Sequence, residues 1–113
     1  MSRIEDYALI GDLQTAALVG VDGSIDWMCL PRFDSPACFA ALLDDERAGR
    51  WVIASTSRER ARSRRYIPGT LVLETTWDCG GGTARVLDLM PPRTASPTLV
   101  RIVEGVSGTV SLR

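Results

Sequence analysis

Thr15-Ala16-Ala17-Leu18-Val19-Gly20-Val21-Asp22-Gly23-Ser24-Ile25-Asp26-Trp27-Met28-Cys29 is the stretch from which the fold can be read. Two strand-like runs, residues 15–19 and 24–29, flank Gly20-Val21-Asp22-Gly23. An Asp-Gly pair between apolar runs is a strong hairpin signal, because glycine takes the positive φ that a tight turn demands. Side chains alternate across a strand, so Ile25, Trp27 and Cys29 are expected on one face and Asp26 and Met28 on the other.

Downstream, Leu30-Pro31-Arg32-Phe33-Asp34-Ser35-Pro36 breaks the strand, since proline donates no ladder hydrogen bond. The Ser35 hydroxyl followed by Pro36 has the form of an N-cap with proline at the first helical position. A short helix is therefore predicted over residues 36–44, with Phe39, Leu42 and Leu43 turned inward and Gly49 available to end the turn.

From residue 50 the pattern is β. Residues 50–54 read as a strand, and residues 55–65, dense in arginine, as an exposed loop leading into Tyr66-Ile67. Residues 70–78 alternate Leu71, Leu73, Thr75 and Trp77 against Val72, Glu74 and Thr76. Cys79-Gly80-Gly81-Gly82 is a turn, and residues 83–90 return as the partner strand until Pro91-Pro92. Residues 98–106 and 109–112 are expected to form a third hairpin around Ser107-Gly108. Strands at this spacing predict a mainly β chain, an antiparallel β-sandwich with one short helix. Residues 109–113 still read as a strand in progress, so residues 1–113 are expected to be one domain forming the front part of a larger sandwich. An open sheet edge would then favour pairing with a second copy.

The 113 residues, 12.3 kDa, are enough for one core: a compact chain of this mass exposes about 6,000 Å² against about 18,000 Å² unfolded. Thirteen basic and 14 acidic side chains leave a net charge of -1, which provides no overall basic field for nucleic acid or an anionic membrane. No apolar run is long enough for a membrane-spanning helix, and the N-terminus lacks a signal-peptide core. The expected compartment is the cytoplasm.

The absences narrow the chemistry further. The chain has no His, Lys or Asn, and every basic residue is Arg. That removes His-based nucleophile activation, imidazole proton shuttles, Schiff bases and the P-loop lysine. Cys29, Cys38 and Cys79 have no CxxC spacing and no His to complete a zinc site, so Cys29 and Cys38 read as small buried hydrophobes.

Glycoside hydrolysis needs two carboxyl groups. Asp26 with Asp34 is one candidate pair, and the run Asp44-Asp45-Glu46 reads better as a solvated acidic stretch. Arg32-Phe33-Asp34 is the most suggestive local group, since it offers a guanidinium fork, an aromatic face and a carboxylate to a sugar. An Asp34 turn bond or an ion pair with Arg32 is the competing structural reading. Trp27, Trp51 and Trp77 could stack on carbohydrate, although Trp27 and Trp77 lie at alternating strand positions that suit a core. The Arg-rich stretch lacks the aromatic platform of a nucleic-acid reader.

Residues 4–19, Ile4-Glu5-Asp6-Tyr7-Ala8-Leu9-Ile10-Gly11-Asp12-Leu13-Gln14 onward, and residues 22–36, Asp22-Gly23-Ser24-Ile25-Asp26-Trp27 to Pro31-Arg32-Phe33-Asp34-Ser35-Pro36, resemble the opening of bacterial glycoside hydrolase family 15 proteins. These are trehalase- and glucoamylase-like enzymes whose first segment is a trehalase-like N-terminal domain. Arg65-Tyr66-Ile67-Pro68-Gly69-Thr70 and Val86-Leu87-Asp88-Leu89-Met90-Pro91 fit the same pattern. The resemblance implies a sandwich paired with a C-terminal (α/α)6 barrel that hydrolyses α-glucosidic bonds with inversion, through two glutamates belonging to the barrel. It implies no catalytic residue, metal site or cofactor in this chain, which would be silent alone and meet its α-glucoside only through the parent. Arg32, Phe33 and Asp34 are then expected at the edge of the parent's substrate pocket. The alternative is a free-standing sandwich for carbohydrate binding or protein interaction.

Overall fold

The computed structural model describes residues 3–30, 32, 36–40, 49–56, 63–78, 81–92 and 96–113, apart from the side chain of Cys38. It is an antiparallel β-sandwich. A short 3-10 turn, Ile4–Asp6, leads into β1 (Tyr7–Gly11), β2 (Ala16–Gly20), β3 (Ser24–Cys29), β4 (Ala37–Phe39) and β5 (Trp51–Val52). Then follow β6 (Ser63–Tyr66), β7 (Leu73–Asp78), β8 (Gly82–Leu89) and β9 (Val100–Gly108). The first sheet runs β1-β2-β3-β4, with β5 also on β3, and the second runs β6-β7-β8-β9.

The β2–β3 hairpin forms as its sequence predicts. Gly23 has φ +83°, and its N–H donates to the Gly20 carbonyl across 3.1 Å. A Cβ there would lie 2.1 Å from the Ile53 carbonyl oxygen, so the position excludes a side chain on two grounds. The expected alternation along β3 does not hold throughout. Leu18 pairs with Trp27 but Val19 pairs with Ile25, which makes Asp26 a bulged residue. One extra residue reverses the alternation, so Ile25 and Met28 both reach the core while Trp27 is only half-buried.

The predicted helix over residues 36–44 is not formed where it is described: Ala37–Phe39 is β4. Phe39 still packs on the core, but from a strand opposite Met28. The local cap signal is worth about 1 kcal/mol. Pairing with β3 satisfies backbone groups that would otherwise be left unpaired at a sheet edge. Leu42, Leu43 and the rest of residues 41–48 lie outside the described residues.

The second sheet carries two further corrections. Of the stretch expected as an arginine-rich loop, residues 63–65 belong instead to β6, where Arg64 is half-buried, and residues 57–62 lie outside the described residues. The Arg64 guanidinium donates to the Val19 carbonyl at 2.9 Å and to the Asp6 carbonyl at 2.5 Å, tying this sheet to the first. The third hairpin is replaced by a longer crossing. β9 pairs with β8 along its whole length, and residues 111–113 pair with 54–56 on the other side of the molecule. Gly108, at φ +60°, redirects the chain there. The β7–β8 hairpin matches expectation, with Leu73, Thr75 and Trp77 on one face buried.

Ile10, Ala17, Val19, Ile25, Met28, Leu73 and Met90 form the core between the sheets, flanked by Ala8, Leu30, Phe39 and Leu99. No helix among the described residues is long and apolar enough to cross a membrane.

Candidate functional site: the loop end of the sandwich

Three chain turns meet at one end of the sandwich around a cleft of about 710 Å³. Residues 11–14 between β1 and β2, residues 69–72 before β7, and residues 89–92 after β8 line it. The volume lies within the range of small-molecule pockets. Its walls are mainly hydrocarbon, from Leu71, Val72, Leu89, Met90 and the two prolines.

The first turn is built on an aspartate. Asp12 is buried, and its Oδ1 accepts the N–H groups of Gln14 and Thr15, each at 3.0 Å. This is an Asx turn, in which a short carboxylate substitutes for backbone partners. Leu13, at its tip, has φ +76° and is 92% exposed. A non-glycine residue in the left-handed region costs about 1–2 kcal/mol. Among the described residues Leu13 alone is so placed, so the strained leucine displays its side chain to solvent.

Thr15 joins this turn to the predicted site loop. Its hydroxyl donates to the Cys29 carbonyl, at the end of β3 where the chain enters residues 30–36. Arg32 follows directly and is exposed, though it does not line the cleft. Phe33 and Asp34 lie outside the described residues.

The aspartates inside the fold are engaged with arginines. Asp26 accepts the Tyr7 hydroxyl at 2.5 Å and lies 3.3 Å from Arg50 Nε. Arg50 also bridges to Asp22 Oδ2 at 3.0 Å. Burial of Asp22 opposes its ionisation, but the Ser24 hydroxyl and N–H, with the Arg50 charge, prevail and hold its carboxyl below the ordinary value. At Asp88, burial raises the carboxyl above the usual range, offset only in part by the Arg101 hydrogen bond and charge. These groups hold a bulge, a turn and the two sheets together. Asp26, a candidate acid or base from sequence, is thereby accounted for structurally.

The tryptophans separate by position. Trp77 is in the core, whereas Trp51 is 38% exposed beneath the Arg101 guanidinium, 5.3 Å from its ring centre. Cys29 is a free buried thiol, as its apolar setting implied. Cys79 and the side chain of Cys38 lie outside the described residues. Sequence reasoning missed Leu13 and the Asp12 turn. The Asp12-Leu13-Gln14-Thr15 spacing was the available signal.

Residues 1–112 match the family model described as trehalase-like, N-terminal. A trehalase of Mycolicibacterium smegmatis is 38% identical over 96% of the chain, and one of Mycobacterium tuberculosis 37% over the same share. Trehalase 1 of Sulfolobus acidocaldarius is 41% identical over 80% of the chain. The chain spans 19% of the length of each mycobacterial relative and 16% of the archaeal one. No solved structure matches it.

Proposed function

The chain belongs to the trehalase-like N-terminal family, and from that premise we propose that it is the accessory sandwich of a glycosidase whose catalytic part lies C-terminal to it. The parent would hydrolyse the α-glucosidic bond of trehalose or a short α-glucan, with inversion, as a glycoside hydrolase family 15 enzyme with an (α/α)6 barrel. A cytoplasmic setting belongs to the same reading and accords with the free thiol of Cys29.

The observation that carries this reading is the use made of the carboxylates. Hydrolysis needs one carboxyl group to donate a proton to the glycosidic oxygen while a second activates water or attacks. Asp22, Asp26 and Asp88 are each ion-paired with an arginine inside the fold. Asp12 is occupied by its own turn. Among the described residues the chain thus uses these acids in architecture, and the cleft at its loop end is walled mainly by hydrocarbon. That end, led by Leu13 and Leu71, is the face we assign to contact with the catalytic part, with Arg32, Phe33 and Asp34 at the rim of the substrate pocket.

Three measurements test the proposal. The purified 113-residue chain should release no glucose from trehalose or maltose, and sustained release above a mock purification would overturn catalytic silence. In a full-length enzyme carrying this domain, Arg32→Ala and Asp34→Ala should lower kcat/KM. Unchanged values for both would remove the loop from the pocket. Calorimetric titration of the isolated chain with trehalose distinguishes the carbohydrate-binding alternative, which requires saturable heat.

A further inference from the structure

Residues 111–113 are paired as a strand. The Ala54 N–H donates to the Arg113 carbonyl at 3.0 Å, and the Arg113 N–H donates to the Ala54 carbonyl at 2.8 Å. The Thr56 N–H donates to the Ser111 carbonyl at 3.1 Å, and Leu112 stands opposite Ser55. On β5, Trp51 pairs with Ile25 and Val52 with Ser24, and the Ile53 N–H donates to the Gly23 carbonyl at 3.1 Å. Backbone groups of successive residues in an antiparallel ladder point to opposite sides. The N–H and C=O of Val52 therefore point away from β3, to the side on which Ala54 meets Arg113. Among the described residues β5 has no second strand there.

The sandwich is open along this flank. Trp51 shares the core-facing side with its partner Ile25, which is fully buried, yet it is itself 38% exposed. On the other sheet Val103 shares the core-facing side with its partner Val86, yet it is 51% exposed. Between them lies the buried Arg101 side chain, beneath the Trp51 ring and two residues before Val103. Apolar side chains on the inner faces of two packed sheets are ordinarily covered by the facing sheet.

We infer that the chain following Arg113 in the parent enzyme continues this strand along the free edge of β5 and closes the open flank. The inference rests on the proposed reading that a catalytic part lies C-terminal to the sandwich. The length for it exists, since the chain covers 19% of each mycobacterial relative. Register fixes the contacts. With Leu112 opposite Ser55 and Arg113 opposite Ala54, the second residue beyond Arg113 stands opposite Val52 and exchanges both backbone hydrogen bonds with it. The first and third stand opposite Ile53 and Trp51 on the core-facing side, and are expected to be apolar. The continuing chain is favoured over a second copy because the pairing has already begun. A covalently attached segment reaches an effective concentration that a free partner does not match.

Amide hydrogen exchange tests this, comparing the 113-residue chain with a full-length enzyme carrying this domain. The Val52 amide should exchange at least tenfold more slowly in the full-length enzyme. The Ile53 amide, bonded to Gly23, should be protected in both. In the full-length enzyme, Arg113→Pro removes the N–H that bonds Ala54 and should cancel the protection at Val52, whereas Arg113→Ala keeps that N–H and should keep it. Glucose release from trehalose by the same preparation reports separately on the proposed reaction, so either reading can fail alone. A folded full-length enzyme with an unprotected Val52 amide would overturn the inference. So would protection that survives Arg113→Pro, which assigns the edge to a different segment. Protection that the 113-residue chain acquires with rising concentration would overturn it too, in favour of a second copy.

Discussion

Arg101 Nε donates to Asp88 Oδ1 at 2.7 Å, and the two side chains are essentially excluded from solvent. The remaining guanidinium nitrogens reach the Gly23 carbonyl at 2.7 Å and the Trp51 carbonyl at 3.1 Å, both on the other sheet. A neighbouring pair on β8 and β9 therefore also clamps the hairpin turn and β5. Breaking one member of such a pair leaves a buried charge without compensation. Asp88→Ala should cost about 3–5 kcal/mol in urea denaturation, whereas Asp88→Leu with Arg101→Met should recover most of it. A single substitution as mild as the double one would show that the pair is not the clamp.

The Tyr66 hydroxyl substitutes for a neighbouring strand at Leu9. Tyr66→Phe should lower stability by about 1 kcal/mol, the net worth of a hydrogen bond at a solvent-accessible edge. Exchange of the Leu9 amide should accelerate while the amides of β8 keep their protection. Equal acceleration at both strands would indicate global loosening instead.

Leu13 gives a prediction of opposite sign. Leu13→Gly removes the left-handed penalty, less the entropy glycine loses on folding, for a net gain of about 0.5–1 kcal/mol. Leu13→Ala keeps the penalty and should be nearly neutral. Thermal melts of the two variants, compared with the unsubstituted chain, check this directly.

The pH dependence at Asp22 follows from its lowered carboxyl. A carboxylate whose folded value is depressed contributes stability that is complete above its unfolded value near 3.8 and is lost as pH falls through the folded value. Asp22→Asn should therefore be less stable than the unsubstituted chain by a constant amount between about pH 5 and 8. The gap should narrow below 3.8. A gap that persists unchanged in acid would assign the loss to packing, with the charge on Arg50 uninvolved.

Around the candidate site the end of β3 at Cys29 was legible, and Arg32 beyond it is exposed but does not line the cleft. The strained presentation of Leu13 was not legible, since leucine carries no local preference for a positive φ and only the Asp12 turn imposes it.

Sequence by itself determined the tight β2–β3 hairpin, the antiparallel pairing of β7 with β8, the buried face of β7 and the family. These depend on glycine placement, on period-two alternation and on contiguous residue identity, all of which act over a few positions. Tertiary structure alone decided that Ala37–Phe39 is a strand, that Asp26 bulges so that Met28 joins Ile25 in the core, and that residues 111–113 cross to residues 54–56. In each case the local alternatives differ by a kcal/mol or so, and the outcome went to whichever arrangement gave a distant strand its hydrogen-bond partners and the core its apolar side chains.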